Sequence, residues 1–180
     1  MYQIREKVLP KNSIITNYEV IIDDDKMNKK IIEQIDKQGD KQNHKTNVKA
    51  DMTDWDMRKK PGFKELVKIT DVVLRDIQNL RWPNSDAARR KIRLESIWGA
   101  KYKSGEQTAE HDHWPALWSF VYYPNKVEGA PGLTFREANV ERTIEKGLLL
   151  FFQGGEQHSV RPAEFEGYRY CVAGNYHDDK

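Results

Sequence analysis

Apolar residues along this chain keep a helical rhythm in the first half and a strand-like rhythm in the second. Residues 63–80 place Phe63, Leu66, Val67, Val73, Leu74, Ile77 and Leu80 at three- and four-residue intervals, with Pro61-Gly62 ahead and Trp82-Pro83 behind. That spacing predicts an amphipathic helix. Asp23-Asp24-Asp25 offers an N-cap and an acidic first turn to a second helix, which carries Ile31, Ile32 and Ile35 and ends near Gly39. Ahead of it, residues 2–22 read as one or two strands around a Pro10-Lys11-Asn12-Ser13 turn, with Ile14, Ile15, Val20, Ile21 and Ile22 as β-branched material. Residues 40–61 are polar and have no apolar period, so a lid or a disordered segment is expected there. Trp55, between Asp54 and Asp56, is the anchor of that stretch, either plugging a core edge or covering a substrate.

Past a loop at residues 84–90, residues 92–102 alternate. Ile92, Leu94, Ser96, Trp98, Ala100 and Tyr102 share one face, which predicts a strand with one side buried. Residues 117–123 are apolar or aromatic on both faces, as in a central strand with a helix above and sheet or site beneath. A turn-rich loop at residues 124–132 precedes strand-like Leu133-Thr134-Phe135, and a Leu148–Phe152 run ends at the Gly154-Gly155 turn. In the last segment Arg169, Cys171, Ala173 and Asn175 fall on one face. Short strands separated by Gly and Pro turns predict a mainly β fold with flanking helices, a sandwich or barrel of the jelly-roll class.

At 180 residues the chain is expected to form one domain, with residues 1–90 as strands and supporting helices and 91–177 as the jelly-roll core. The 30 basic and 28 acidic side chains leave a formal charge of +2, which argues against a nucleic-acid partner. The single cysteine, Cys171, excludes an intrachain disulfide and suits a reducing compartment. No stretch has the apolar core of a signal peptide or the ~20 apolar residues of a membrane span, so a cytoplasmic protein is expected.

Candidate chemistry centres on His111-Asp112-His113 and His158, three of the five histidines, each bordered by strand-like sequence. On a strand His111 and His113 project to one side and Asp112 to the other. His158, from a distant strand, would complete a facial set of three ligands with coordination positions left open, as an iron oxygenase needs. Two readings compete with it. One is a polar strand end with solvated histidines; the other puts Asp112 in the ligand set through a β-bulge. Iron, zinc and copper all accept imidazole.

These spacings resemble those of the 2-oxoglutarate- and Fe(II)-dependent dioxygenases over about residues 92–176, most closely the prolyl-hydroxylase-like and small uncharacterised bacterial and phage branches. The resemblance implies a double-stranded β-helix, a jelly-roll or cupin-like core, covered here by N-terminal helices. Tyr102 precedes His111 by nine residues, as a strand tyrosine precedes the first iron histidine in the family. His111-Asp112-His113 stands at the family's H-x-D, Val121-Tyr122-Tyr123-Pro124-Asn125 at its following strand, His158 at its distal histidine, and Arg169 at the arginine that holds the far carboxylate of the cosubstrate. His113 departs from the usual Asp or Glu, although the small branch carries H-x-H.

The residues by themselves support these roles. A keto acid needs two metal positions and a fixed cation, and arginine's planar fork fits a carboxylate bidentately. Arg169 sits among small residues on its strand face, and a surface salt bridge is the plainer role for it. Arg161 is nearer to His158 but on the opposite face. Tyr123 points inward with Val121, to hydrogen-bond the same carboxylate or simply to pack. The expected function is a 2-oxoglutarate/Fe(II) hydroxylase acting with O2 on a peptide residue or small molecule and releasing succinate and CO2. The alternatives are a three-histidine cupin-type dioxygenase without a keto acid, and a non-catalytic jelly-roll binding module.

Overall fold

The computed structural model describes residues 3–8, 16–41 and 46–179. In chain order the elements are β1 (Arg5–Val8), β2 (Thr16–Ile21), α1 (Asp25–Gln38), β3 (Val48–Lys49), β4 (Asp51–Met52), α2 (Phe63–Arg81) and α3 (Asp86–Arg89). The second half contributes strands only: β5 (Ile92–Tyr102), β6 (Gln107–His111), β7 (Trp118–Tyr122), β8 (Leu133–Phe135), β9 (Val140–Arg142), β10 (Leu148–Gln153), β11 (His158–Val160) and β12 (Arg169–Asp178). They form a seven-stranded sheet in the order β1-β2-β10-β7-β12-β5-β4 and a five-stranded sheet in the order β3-β6-β11-β8-β9. The fold is mainly β with flanking helices, the jelly-roll class read from the sequence.

Both expected helices form where their caps place them. The Asp24 carboxylate accepts a hydrogen bond of 2.8 Å from the Met27 amide at the start of α1, and Gly39 closes the helix in a left-handed conformation. Helix α2 is narrower in its apolar stripe than the spacing suggested. Leu80 is exposed, while Thr70 and Gln78 are buried and hydrogen-bonded. The loop read at residues 84–90 holds the short helix α3, capped by Ser85.

Two apolar layers result. On one face of the seven-stranded sheet, Ile31, Ile35, Phe63, Leu66 and Val73 from the helices pack with Phe120, Tyr122, Phe151 and Val172 from the strands. On the other face, Trp98, Ala100, Tyr102, Val121, Tyr123 and Phe152 meet Leu133, Phe135 and Val160 of the smaller sheet. Strand β7 is therefore buried on both sides, and its odd residues face the inter-sheet layer where the candidate site lies.

The structure corrects two expectations. Residues 46–61 are not an irregular lid: Val48, Ala50 and Met52 are buried, β3 pairs with β6, and β4 pairs with β5. Their order comes from ladder hydrogen bonds at sheet edges, to which a helical or long apolar pattern is blind. Strand β5 does not keep one buried face along its length. Ser96 opposes Asn175 but Leu94 opposes Tyr176, so Glu95 is an extra residue and a β-bulge switches the facing. Leu94 and Ile97 consequently face the helices, while Trp98, Ala100 and Tyr102 face the other sheet. The turn expected at residues 10–13, together with Ile14, Ile15 and His44, lies outside the described residues.

Candidate metal centre

His111 ends β6, His113 lies two residues beyond it in a turn, and His158 begins β11 directly opposite His111 in the ladder. The register of β6 and β11 thus places two imidazoles side by side. The third is set by the His113 amide, which donates to Gly154 O over 2.7 Å and ties the turn to the end of β10. One ligand atom from each ring lies within 4.8 Å of the others, a spacing that could hold a metal ion. His113 reaches the cluster from a turn rather than from the strand position that alternation assigned to it.

Tautomers follow from the backbone. His111 Nδ1 is 2.9 Å from Ala109 O, and His158 Nδ1 is 2.7 Å from Glu156 O. A carbonyl only accepts, so each Nδ1 carries the proton and each Nε2 keeps its lone pair for a metal. Burial lowers all three histidine pKa values, and their mutual repulsion lowers those of His113 and His158 further, to about 4 and about 3. The three rings are neutral at pH 7, the form a metal requires.

Asp112 is turned away. Its carboxylate accepts from the Trp114 amide at 3.0 Å and from Gln157 Nε2 at 2.7 Å, an arrangement that braces the turn and leaves Asp112 outside the cluster of possible ligands.

Arg169, at the start of β12 opposite Tyr102, lines the same cavity as the three histidines and is 2% exposed. Its Nε and Nη1 have no hydrogen-bond partner. Its guanidinium lies over the rings of Tyr102 at 4.5 Å and Tyr123 at 5.3 Å. The Tyr102 hydroxyl is engaged by Thr108 Oγ1 at 2.6 Å, whereas that of Tyr123 is buried without a partner. Burial pushes the Tyr123 pKa up to about 12, so this hydroxyl is a protonated donor at neutral pH. Arg161 instead pairs with Glu141 at 2.8 Å on the surface.

A buried cation with unused donors, facing an unused hydroxyl, is a costly arrangement unless an anion enters. The apolar remainder of the wall, including Val121, Leu133, Val160 and Ala173, supplies shape without competing charge. This site therefore combines three histidine lone pairs that could hold a metal with a separate buried guanidinium whose unused donors have the geometry to meet a carboxylate.

No protein-family model matches the chain, and no curated protein matches it in sequence. Solved structures do. The viral collagen prolyl hydroxylase of Paramecium Bursaria Chlorella virus-1, solved as a 2OG complex, superimposes with a TM-score of 0.66 at 16% identity, over 89% of this chain and 94% of that one. A Pseudomonas putida prolyl-4-hydroxylase gives 0.63 at 16% identity over 87% and 89%. A Trichoplax adhaerens prolyl hydroxylase, in complex with a hypoxia inducible factor peptide fragment, gives 0.60 at 18% identity over 89% and 84%. The chain has the fold of the 2-oxoglutarate/Fe(II) oxygenases. At such identities the likeness is one of fold, and the case for chemistry rests on the side chains.

Sequence reasoning named the three histidines, Arg169, Tyr102 and Tyr123, and all six line or adjoin this cavity. It passed over Thr108, which occupies the Tyr102 hydroxyl, and Gln157, which holds the His113 turn through Asp112, and it read Gly154 only as part of a turn. No residue pattern marks these roles, because each acts through a contact made only on folding. Trp98 was read as a buried strand residue and also forms the wall beside His113, ring to ring at 6.0 Å. Among the described residues no helix is long and apolar enough to cross a membrane.

Proposed function

We propose that this protein is a 2-oxoglutarate- and Fe(II)-dependent oxygenase that hydroxylates a peptide residue or a small molecule. The observation that carries the reading is Arg169, a fully buried guanidinium with two unpartnered nitrogens in the cavity of the histidine cluster. Its fork matches one carboxylate of the keto acid, and the Tyr123 hydroxyl supplies a further donor beside it. Tyr102 keeps the guanidinium in place through its ring while Thr108 occupies its hydroxyl. His111, His113 and His158 would hold the metal through three neutral nitrogens. Fe(II) bound there supplies activation of O2 coupled to decarboxylation of 2-oxoglutarate to succinate and CO2. The protein's part is to orient the dianion between two fixed points and to keep water from it with an apolar wall.

The position of Asp112 supports His113 as the third ligand, since the Asp112 carboxylate is already used by Trp114 and Gln157. An all-histidine set also favours, as a second reading, a cupin-type dioxygenase whose substrate chelates the metal directly. The two differ in what Arg169 is for. Anaerobic protein loaded with Fe(II) and then 2-oxoglutarate is expected to develop the visible metal-to-keto-acid charge-transfer band, and aerobic protein to release succinate. Absence of the band at millimolar 2-oxoglutarate, with iron bound, would replace the first reading by the second.

A further inference from the structure

Two tryptophans are held out to solvent beside the candidate metal centre, and neither is on a loose segment. Trp114, 78% exposed, directly follows His113. Its amide is fixed by Asp112, Asp112 is fixed by Gln157, and the Ala116 amide closes the turn onto His113 O at 2.8 Å. Trp55, 42% exposed, belongs to a stretch bonded along β5: its carbonyl accepts from the Ile97 amide at 3.0 Å, and the Met57 amide returns to Ile97 O at 2.9 Å. Its ring meets Trp98 edge to face at 4.7 Å, and Trp98 meets His113 at 6.0 Å. The exposed rings therefore stand one residue from His113 on one element and two ring-to-ring steps from it on another. The backbone beneath both indoles is fixed, the Trp55 ring is braced on Trp98, and the exposed aromatic area at each is within reach of a ligand.

Charge at the rim selects the ligand. Arg58 is neutralised by Asp56 at 2.8 Å, and Arg136 by Glu110 at 2.7 Å. Asp54 and Asp112, each next in sequence or turn to one of the indoles, have no lysine or arginine partner among the described residues. The rim thus presents two indoles and the exposed Asp54 carboxylate, with Asp112, hydrogen-bonded to Trp114 and Gln157 but without a basic partner, adding to the negative potential. Such a surface attracts cations through both the ring quadrupole and simple Coulomb attraction. The spread of the two indoles over separate elements suits an extended chain, in which residues repeat about every 3.3 Å, better than one small amine.

We propose that this rim docks a peptide substrate through a lysine or arginine side chain adjacent to the residue presented to the metal. The proposal rests on the oxygenase reading only for what happens after docking; the docking itself needs no metal. Its test is a titration of the whole protein, metal-free and again with Fe(II) and 2-oxoglutarate under anaerobic conditions, followed by tryptophan fluorescence. The probes are three capped pentapeptides, Gly-Gly-X-Gly-Gly, with lysine, norleucine or glutamate at X. The lysine peptide is expected to bind roughly 5 to 30 times more tightly than the norleucine peptide and to weaken as salt is raised. Trp114→Leu, and separately Asp112→Asn with Asp54→Asn, should each reduce that preference, with Trp55→Leu as the independent variant on the other element. Equal binding of the lysine and norleucine peptides, or a preference unchanged in all these variants, overturns the proposal. A lysine preference in a protein that shows no charge-transfer band with 2-oxoglutarate would retain the rim and discard the oxygenase reading. The band without the preference would do the reverse.

Discussion

Arg169 was visible in the sequence as an arginine on a small-residue strand face, but its want of a partner was not, because burial and hydrogen bonding are properties of the folded site. Removing it should separate its two possible roles. A charge-assisted pair to a carboxylate in a dry pocket contributes about 1.5–3 kcal/mol, so Arg169→Ala is expected to raise the 2-oxoglutarate requirement about 10- to 150-fold. Iron affinity should change little, and lysine should rescue only part of the loss, since it lacks the fork. Isothermal titration with each component measures this; an unchanged 2-oxoglutarate affinity would make Arg169 a packing residue. The histidines carry a second expectation. Burial holds His113 and His158 at about 4 and about 3, below their unfolded value of ~6.5. As pH falls below ~6.5 the unfolded chain takes up protons that the folded chain refuses, so stability declines across that window down to the folded values. Bound metal, which selects the neutral rings, should steepen the decline. Melting temperatures from pH 7 to pH 4 test it. His158→Phe should flatten the slope of the metal-free protein, and an equally steep slope in that variant would place the acid sensitivity elsewhere.

At the level of elements, the centre is an agreement between two turns. Strand alternation put His111 and His113 on one face, and their rings do converge, yet the structure achieves it with β6 ending at His111 and a turn carrying His113 back. What holds that turn is Gly154, whose carbonyl accepts from the His113 amide and whose missing side chain lets it lie against Ala116 O. A Cβ there would overlap the Ala116 carbonyl, which is backbone and cannot step aside. Gly154→Ala is therefore expected to cost roughly 1–3 kcal/mol of stability and to weaken metal binding with the rest of the fold retained. Near-ultraviolet circular dichroism with and without metal would show it, and native metal affinity in the variant would mean that the turn is not what positions His113. The same scale explains the two misread segments. Residues 48–52 do alternate buried and exposed, but over too few positions to stand out from polar neighbours. In β5 the period-2 reading was correct on each side of Glu95 and wrong across it, because a bulge adds one residue without changing the residue types that alternation counts.

Across the whole molecule, the mainly β class was legible because strand patterning and turn chemistry agree over the second half, whereas the dependence of that half on the first was not. The N-terminal half gives β1, β2 and β4 to the larger sheet and β3 to the smaller, and its two long helices supply one entire side of a shared apolar layer. Strand tyrosines reach across that layer: Tyr122 donates to Asn28 of α1, Tyr170 to Asp36 of α1, and Tyr176 contacts Thr70 and Asp71 of α2 at 2.8 and 2.7 Å. Each such pair links the two halves of the chain; those to Asn28 and Thr70 are buried, so a lost partner there leaves a buried polar group behind, whereas Asp36 and Asp71 are exposed. If the halves form one cooperative unit, as we propose, helix and strand signals should disappear together in urea, with far-ultraviolet dichroism and tryptophan fluorescence giving one midpoint. Tyr176→Phe removes the one hydroxyl shared between buried Thr70 Oγ1 and Asp71, and should cost about 1–3 kcal/mol of stability and move the common midpoint down equally for both probes. A helix signal that unfolded first, leaving the fluorescence of Trp98 and Trp118 in place, would show instead that residues 91–177 stand without the helices and that the N-terminal half is an attachment to the metal-bearing core.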